Sequence, residues 1–60
     1  MLDLDALLTE KDAAAKLGYS LFWLRDLRKR GAGPRYIKLG NRAMYDPADL
    51  SAWLESLKQN

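Results

Sequence analysis

The spacing of apolar and polar residues between Ser20 and Arg30 predicts an amphipathic helix. Leu24 and Leu27 lie three residues apart, so they share a face that is predicted to pack inward. Ser20 suits an N-cap because its hydroxyl can accept a backbone N–H two or three residues further on, and Gly31 suits the C-terminal cap. The opposite face and its flanks carry Phe22, Arg25, Asp26, Arg28, Lys29 and Arg30. Four cations and one acid exposed on so short a helix favour an anionic partner.

A shorter helix is predicted just before this one, from Glu10 to about Leu17. Thr9 offers an N-cap, and acids in the first turn suit the positive end of the helix dipole. Three alanines, residues 13–15, permit close approach of a second helix, and Gly18 supplies a tight turn. This order is the plan of a helix-turn-helix, although many helical hairpins that bind nothing share it.

The residues after the second helix predict a β-hairpin. Gly33-Pro34 cannot continue a helix, and two short extended runs follow, Tyr36 to Leu39 and Arg42 to Tyr45. The Gly40-Asn41 pair between them favours a type II′ or related turn. The tip of this hairpin carries Lys38, Asn41 and Arg42. A basic hairpin directly after a basic helix is what a winged helix uses to contact a second stretch of phosphate backbone.

A third helix is predicted after the hairpin, with Asp46 as its N-cap and Pro47 in its first position. Its apolar stripe, expected to pack on the core, is Leu50, Trp53, Leu54 and Leu57. The lead-in, Met1 to Leu8, is expected to contribute Leu4, Leu7 and Leu8 to the core. We expect Tyr36 and Tyr45 to be half-buried strand residues, and residues 58–60 to fray. The predicted fold is one domain over residues 1–60, mainly α with a small β-hairpin, a winged helix-turn-helix.

The composition argues against catalysis. The 60 residues include no cysteine and no histidine, which removes disulfides, thiolate nucleophiles, imidazole bases and soft metal sites. The carboxylates are scattered, and Asp3, Asp5 and Asp12 are expected to be solvated charges and not metal ligands. We therefore expect a protein that is not an enzyme and that needs no cofactor or metal.

The net charge of +2 hides an uneven distribution. Residues 25–42 contain seven Lys or Arg and one Asp, whereas residues 1–15 carry a net charge of −3 and residues 43–60 a net charge of −2. A basic block on a helix and a hairpin is the electrostatic signature of nucleic-acid binding. No apolar run approaches the length of a membrane span, so a soluble, cytoplasmic protein is expected.

Several motifs that occur in a fixed order carry a family resemblance. They are LTEKDAAAKLGYS, the basic helix, and GAGPRYIKLGNRAMYDPADLSAWL. Over about residues 7–55 the chain resembles the small winged-helix excisionase and AlpA-like DNA-binding proteins of prophages and mobile elements, which are related to the DNA-binding part of MerR-type regulators. The resemblance implies that the second helix docks in the major groove and the wing in an adjacent minor groove. It also implies a role in bending attachment-site DNA beside an integrase, or in transcriptional regulation, often with several copies side by side on DNA.

The resemblance and the charge pattern together define a set of candidate DNA-contact residues. From the helix and its cap they are Ser20, Leu21, Phe22, Trp23, Arg25, Arg28, Lys29 and Arg30, and from the exit loop and wing they are Arg35, Lys38, Asn41 and Arg42. Ser20 would cap the helix and reach a phosphate, the next residues and Arg25 would face the groove, and Arg28 and Lys29 would contact the backbone.

Some positions leave alternatives open. Phe22 is predicted to point outward, where thymine methyl groups, a partner protein or the N-terminal segment would cover it. Trp23 lies on a flank and fits partly buried core better than base reading. Asp26 fits an ion pair on the helix, with Arg30 four residues on or with Arg25 or Lys29 beside it, better than a contact to cytosine. An antirepressor-type module that docks on protein through Leu21, Phe22 and Trp23 is the alternative to DNA binding.

Overall fold

The computed structural model describes residues 2–59; Met1 of the lead-in and Asn60 of the predicted frayed end lie outside the described residues. Three helices and three short strands make up the fold, which confirms the winged helix-turn-helix. After a 3-10 turn at Leu4–Ala6, the elements are β1 (Leu8–Thr9), α1 (Glu10–Leu17), α2 (Leu21–Lys29), β2 (Ile37–Leu39), β3 (Arg42–Tyr45) and α3 (Pro47–Ser56).

The predicted N-caps are confirmed at all three α-helices. The Thr9 hydroxyl accepts the third N–H of α1 at 3.1 Å. The Ser20 hydroxyl likewise accepts the N–H of Trp23 at 3.1 Å, and the Asp46 carboxylate accepts the N–H of Ala48 at 3.1 Å. Each contact satisfies an amide that the helix itself leaves without a partner, so these local sequence signals set where the helices begin.

The end of α2 lies one residue before its predicted position, because Arg30 is the cap residue and Gly31 follows it. Gly31 has φ +73°, a left-handed conformation that glycine adopts without strain. This turn lets the N–H of Ala32 donate to the carbonyl of Leu27 at 2.9 Å and closes the helix with a Schellman motif. The chain then turns away from α2 toward the hairpin.

The hairpin is confirmed, and it belongs to a three-stranded antiparallel sheet of order β1-β3-β2. Leu39 pairs with Arg42 across a two-residue loop in which Gly40 has φ +62°. Among residues 2–59 only glycines have positive φ, so Asn41, the second loop residue, does not. A positive φ at the first loop residue but not at the second fits the predicted type II′ turn. The lead-in adds the third strand, with Leu8 opposite Tyr45.

The core lies between α1, α2, β3 and the start of α3. Its buried members are Ala13, Ala14, Leu24, Tyr45 and Leu50, and Leu8, Leu17, Trp23 and Ala43 pack against them. The alanines allow α1 and α2 to approach closely, which brings Leu24 fully inside. Tyr45 is also fully buried, and Tyr36 is exposed and lies just before β2, so the prediction of half-buried rings was wrong for both residues.

Part of the predicted core is exposed. Exposure rises along α3 from Leu50 to Leu54 and Leu57, because this helix starts against the sheet and its later turns extend beyond a core of so few residues. Trp53 is half-buried between these limits. Leu4 is 79% exposed on the 3-10 turn, so its predicted core role was also wrong, while Leu7 is half-buried.

Candidate nucleic-acid interface

The outward face of α2 carries the side chains that the helical spacing predicts. Phe22 is 75% exposed, which excludes burial under the N-terminal segment. Arg25, Asp26 and Lys29 are exposed on the next turns. Asp26 pairs with Arg30 at 2.8 Å, as predicted for residues four apart on a helix. Three cations and an exposed aromatic ring thus line the solvent side of this helix.

A cleft of about 580 Å³ lies between α2 and the wing, which is the hairpin of β2 and β3. Six of the predicted DNA-contact residues line it: Leu21, Arg25, Arg28, Lys29, Asn41 and Arg42. The cleft brings together helix and wing residues that are 12 or more positions apart in the sequence. The tertiary structure therefore joins the two halves of the basic block into one concave surface.

The other predicted contact residues lie outside the lining of this cleft. Lys38 is exposed on β2, and Arg35 lines a smaller pocket beside Gly31 to Pro34. Trp23 is half-buried: its ring stacks on Tyr19 at a centroid distance of 4.2 Å and lies 6.2 Å from the ring of Trp53. These contacts attach the ring to the core, which is the partly buried position that its place on the flank of α2 predicts.

A buried carboxylate ties α1, α2 and β3 together beside the cleft. Glu10, at the start of α1, accepts hydrogen bonds at Oε2 from Arg28 Nε (2.8 Å) and from the Tyr45 hydroxyl (3.0 Å). Its other oxygen, Oε1, faces Arg28 Nη2 at 3.4 Å and Arg25 Nε at 3.5 Å. The Arg28 guanidinium also lies over the Tyr36 ring, 5.5 Å from its centroid. One side chain of α1 thus holds α2 and the wing strand β3 in a fixed relative position.

The comparisons with known proteins agree with this architecture. The sequence model of a family described as a helix-turn-helix domain matches residues 7–58. The chain belongs to this helix-turn-helix family. The family contains the excisionase and AlpA-like small DNA-binding proteins, so the resemblance seen in the sequence is confirmed. No curated protein matches the chain.

Membership of the helix-turn-helix family indicates sequence-specific DNA binding. The matched segment includes every predicted DNA-contact residue, from Ser20 in the turn to Arg42 in the wing. In such domains the N-terminal residues of the second helix contact base edges in the major groove. Between residues 2 and 59, the helix-turn-helix domain has no helix with the length and apolarity to cross a bilayer.

The electrostatics of the Glu10 network follow from its contacts. Burial by itself would raise the pKa of Glu10, but the hydrogen bonds from Arg28 and Tyr45 and the nearby positive charges outweigh burial and lower it. The hydrogen bond to Glu10 raises the pKa of Arg28. Burial, followed by the bond to Glu10, raises the pKa of Tyr45 above its ordinary value. At neutral pH the network therefore contains a carboxylate, a guanidinium and a neutral phenol.

Sequence reasoning treated Glu10 only as a favourable charge in the first turn of α1. Its partners lie 18 and 35 residues away, and no spacing rule within a helix or a hairpin connects such positions. The available signals were a charge in the first turn of α1 and a tyrosine at the end of a strand. Neither signal identifies a partner, so the network was missed.

The lowered pKa of Glu10 predicts a loss of stability in acid. Above the ordinary value of 4.5 the carboxylate is charged in both states, and its contribution to the free energy of unfolding is fully present. That contribution decreases as the pH falls below this value, because the unfolded chain then binds a proton more tightly than the folded protein does. Urea unfolding between about pH 7 and about pH 3 measures this loss, and Glu10→Gln should flatten that part of the curve. Parallel curves for the two proteins would contradict the prediction.

Phe22→Ala should alter DNA binding and leave stability almost unchanged. The ring is exposed, so its removal creates no cavity, and the thermal transition should shift little. If the ring contacts thymine methyl groups, the preference for A·T at one or two positions of the selected site should weaken. Calorimetry and selection from random duplexes measure the two effects, and Leu24→Ala, in the buried position of the same helix, is the control that should unfold. A large fall in melting temperature for Phe22→Ala would show that the ring belongs to the core.

Proposed function

We propose that the protein is a DNA-binding architectural factor of the excisionase type. In this role it bends attachment-site DNA of a phage or mobile element so that an integrase can assemble there. The observation that carries the proposal is the cleft between α2 and the wing, because cations from both elements line it, among them Lys29 and Arg42. Two separate contact points on one duplex are what a small protein needs to hold DNA in a bent shape.

The mechanism follows from these two contacts. With α2 in the major groove, the wing reaches the adjacent minor groove, and the cations on both elements neutralise phosphates and release counterions. Bending a short site costs on the order of 1–6 kcal/mol, which added phosphate contacts offset. Base edges are read by a few side chains on the outward face of α2, such as Phe22 and Arg25. The proposed role is binding and deformation, without catalysis or a cofactor.

The proposed partners are double-stranded DNA, further copies of the protein on neighbouring sites, and an integrase. A small transcriptional regulator of a prophage operon would use the same DNA-binding surface, so the two roles differ in what the bound complex does. A protein-docking role of antirepressor type has one observation in its favour, the exposed Phe22 ring on α2, which a protein partner would also cover.

The first test is a mobility-shift titration with duplexes from the intergenic or attachment DNA beside the gene, against shuffled duplexes of equal length and at two salt concentrations. We expect specific shifts in ladder-like steps that weaken as salt rises. Energy transfer between dyes at the two ends of the duplex should report bending. Excision and reporter assays then separate the two DNA-binding roles: an excisionase raises excision by the integrase, whereas a regulator changes transcription alone. Absence of binding to any duplex would favour protein docking.

A further inference from the structure

Glu10 places a negative charge in the surface that is proposed to bind DNA. It is the one acid among the described residues that line the cleft between α2 and the wing, and its side chain is only 10% exposed. A carboxylate in this position repels phosphate groups and lowers the non-specific affinity of the cleft. We therefore consider how the carboxylate could aid DNA binding through the side chains that it contacts, Arg25, Arg28 and Tyr45.

Arg28 donates to both oxygens of Glu10, but only one of these oxygens faces Arg25. Oε2 is the anchor, since it accepts from Arg28 at 2.8 Å and from the Tyr45 hydroxyl at 3.0 Å. Oε1 accepts a longer bond from Arg28 Nη2 at 3.4 Å and faces Arg25, whose Nε lies 3.5 Å away. Arg25 is on the outward face of α2, and its side chain is 48% exposed. Because the contact is made through Nε, the two terminal nitrogens of Arg25 remain for an acceptor in the groove.

We propose that Arg25 reads a guanine through its terminal nitrogens and that Glu10 is the residue that positions Arg25 for this contact. The proposal rests on the proposed DNA-binding function and identifies the base that one side chain recognises. Two adjacent N–H groups of a guanidinium match the O6 and N7 acceptors of guanine in the major groove. The guanine edge is neutral, so the nearby Glu10 charge opposes a phosphate at this position more than it opposes a base.

The supporting side chains make Glu10 a rigid partner. Tyr45 is fully buried, and Arg28 is held between the carboxylate and the Tyr36 ring. An arginine oriented by a fixed carboxylate loses less rotamer freedom on binding, which favours the single geometry that base reading requires. The second acid–arginine pair of α2 differs, because Asp26 and Arg30 are both more than 60% exposed in their side chains. That pair lacks a buried anchor and serves as the matched control.

The experiment selects binding sites for the full chain from a pool of duplexes with a randomised central segment. The wild-type protein should select a motif with a G·C pair at one position read by Arg25. Arg25→Lys keeps the charge and loses the planar fork, so the preference for guanine at that position should fall about tenfold while the other positions persist. Glu10→Gln should weaken the same position, whereas Asp26→Asn should leave it intact.

The chemistry of Glu10→Gln makes the test selective. The amide oxygen can replace Oε2 as the acceptor for Arg28 Nε and Tyr45, which are the two shorter bonds. The amide NH₂ in place of Oε1 is a donor, so it loses the longer bond from Arg28 Nη2 and repels Arg25. If Glu10 acts through Arg25, adding Glu10→Gln to Arg25→Lys should cause no further loss of guanine preference. Tyr45→Phe removes one hydrogen bond to the anchor oxygen and keeps the bonds from Arg28, so it should lower the melting temperature and weaken the guanine preference less than Glu10→Gln does.

The possible outcomes separate the inference from the proposed function. A wild-type protein that selects no motif would overturn both. A selected motif that Arg25→Lys leaves unchanged would overturn the inference alone, and so would a Glu10→Gln protein whose affinity changes equally for all sequences. Should Glu10→Gln fail to fold, Glu10→Asp decides the positioning role: its shortened carboxylate must weaken the same guanine position, and an intact guanine preference would overturn that role.

Discussion

Glu10→Ala is expected to lower the free energy of unfolding by about 2–4 kcal/mol. Removal of the carboxylate leaves the Tyr45 hydroxyl buried without its acceptor and the Arg28 guanidinium without its ion-pair partner. An unsatisfied buried polar group costs about 1–3 kcal/mol. Loss of the pair to the partly exposed Arg28 adds about 1 kcal/mol after allowance for solvent screening. A chain of 60 residues has a total free energy of unfolding of only about 3–9 kcal/mol, so a large share of it would be lost.

Urea unfolding followed by tryptophan fluorescence measures this effect, since Trp23 packs against the core and the ring of Trp53 lies 6.2 Å from the ring of Trp23. Glu55→Ala is the matched control, because Glu55 makes an exposed pair with Lys58 at 3.1 Å and its removal should change stability by less than about 1 kcal/mol. DNA binding should be lost in parallel with folding in Glu10→Ala and be retained in Glu55→Ala. Equal unfolding midpoints for the two variants would mean that the buried network contributes no net stability.

The double substitution of Lys29→Ala and Arg42→Ala should weaken binding to all DNA sequences alike. These two exposed cations line the same cleft from α2 and from the wing, so each is expected to neutralise one phosphate. The slope of log affinity against log salt should then become shallower by about two, and affinity at about 0.1 M salt should fall about 50-fold. Arg42→Ala alone should change the slope by about one.

Mobility-shift titrations at several salt concentrations measure these slopes for specific and random duplexes. Lys58→Ala is the control, because it removes an exposed cation from the end of the chain outside the basic block and should leave the slope unchanged. Both cleft cations are exposed, so the melting temperature should remain close to that of the wild-type protein. An unchanged slope in the double variant would remove the cleft from the DNA-contact surface.

The sequence by itself determined the features that depend on neighbours along the chain. Thr9, Ser20 and Asp46 mark the helix starts because a cap is a contact between residues two or three apart. The outward direction of Phe22 and the Asp26–Arg30 pair follow from helical periodicity, and the Gly40-Asn41 turn follows from the φ that the loop requires. The order of the motifs also identified the family, and membership of the family indicates DNA binding.

The tertiary structure alone decided which distant residues meet. The pairing of Leu8 with Tyr45 and the bonds from Arg28 and Tyr45 to Glu10 join positions that no local rule connects. The limited volume of the core decided that Leu50 is buried while Leu57 on the same stripe is exposed. Local hydrogen bonds and helical periodicity involve residues a few positions apart, so they can be predicted from the sequence. Burial and long-range pairing depend on how all the elements pack around one small core, so they cannot.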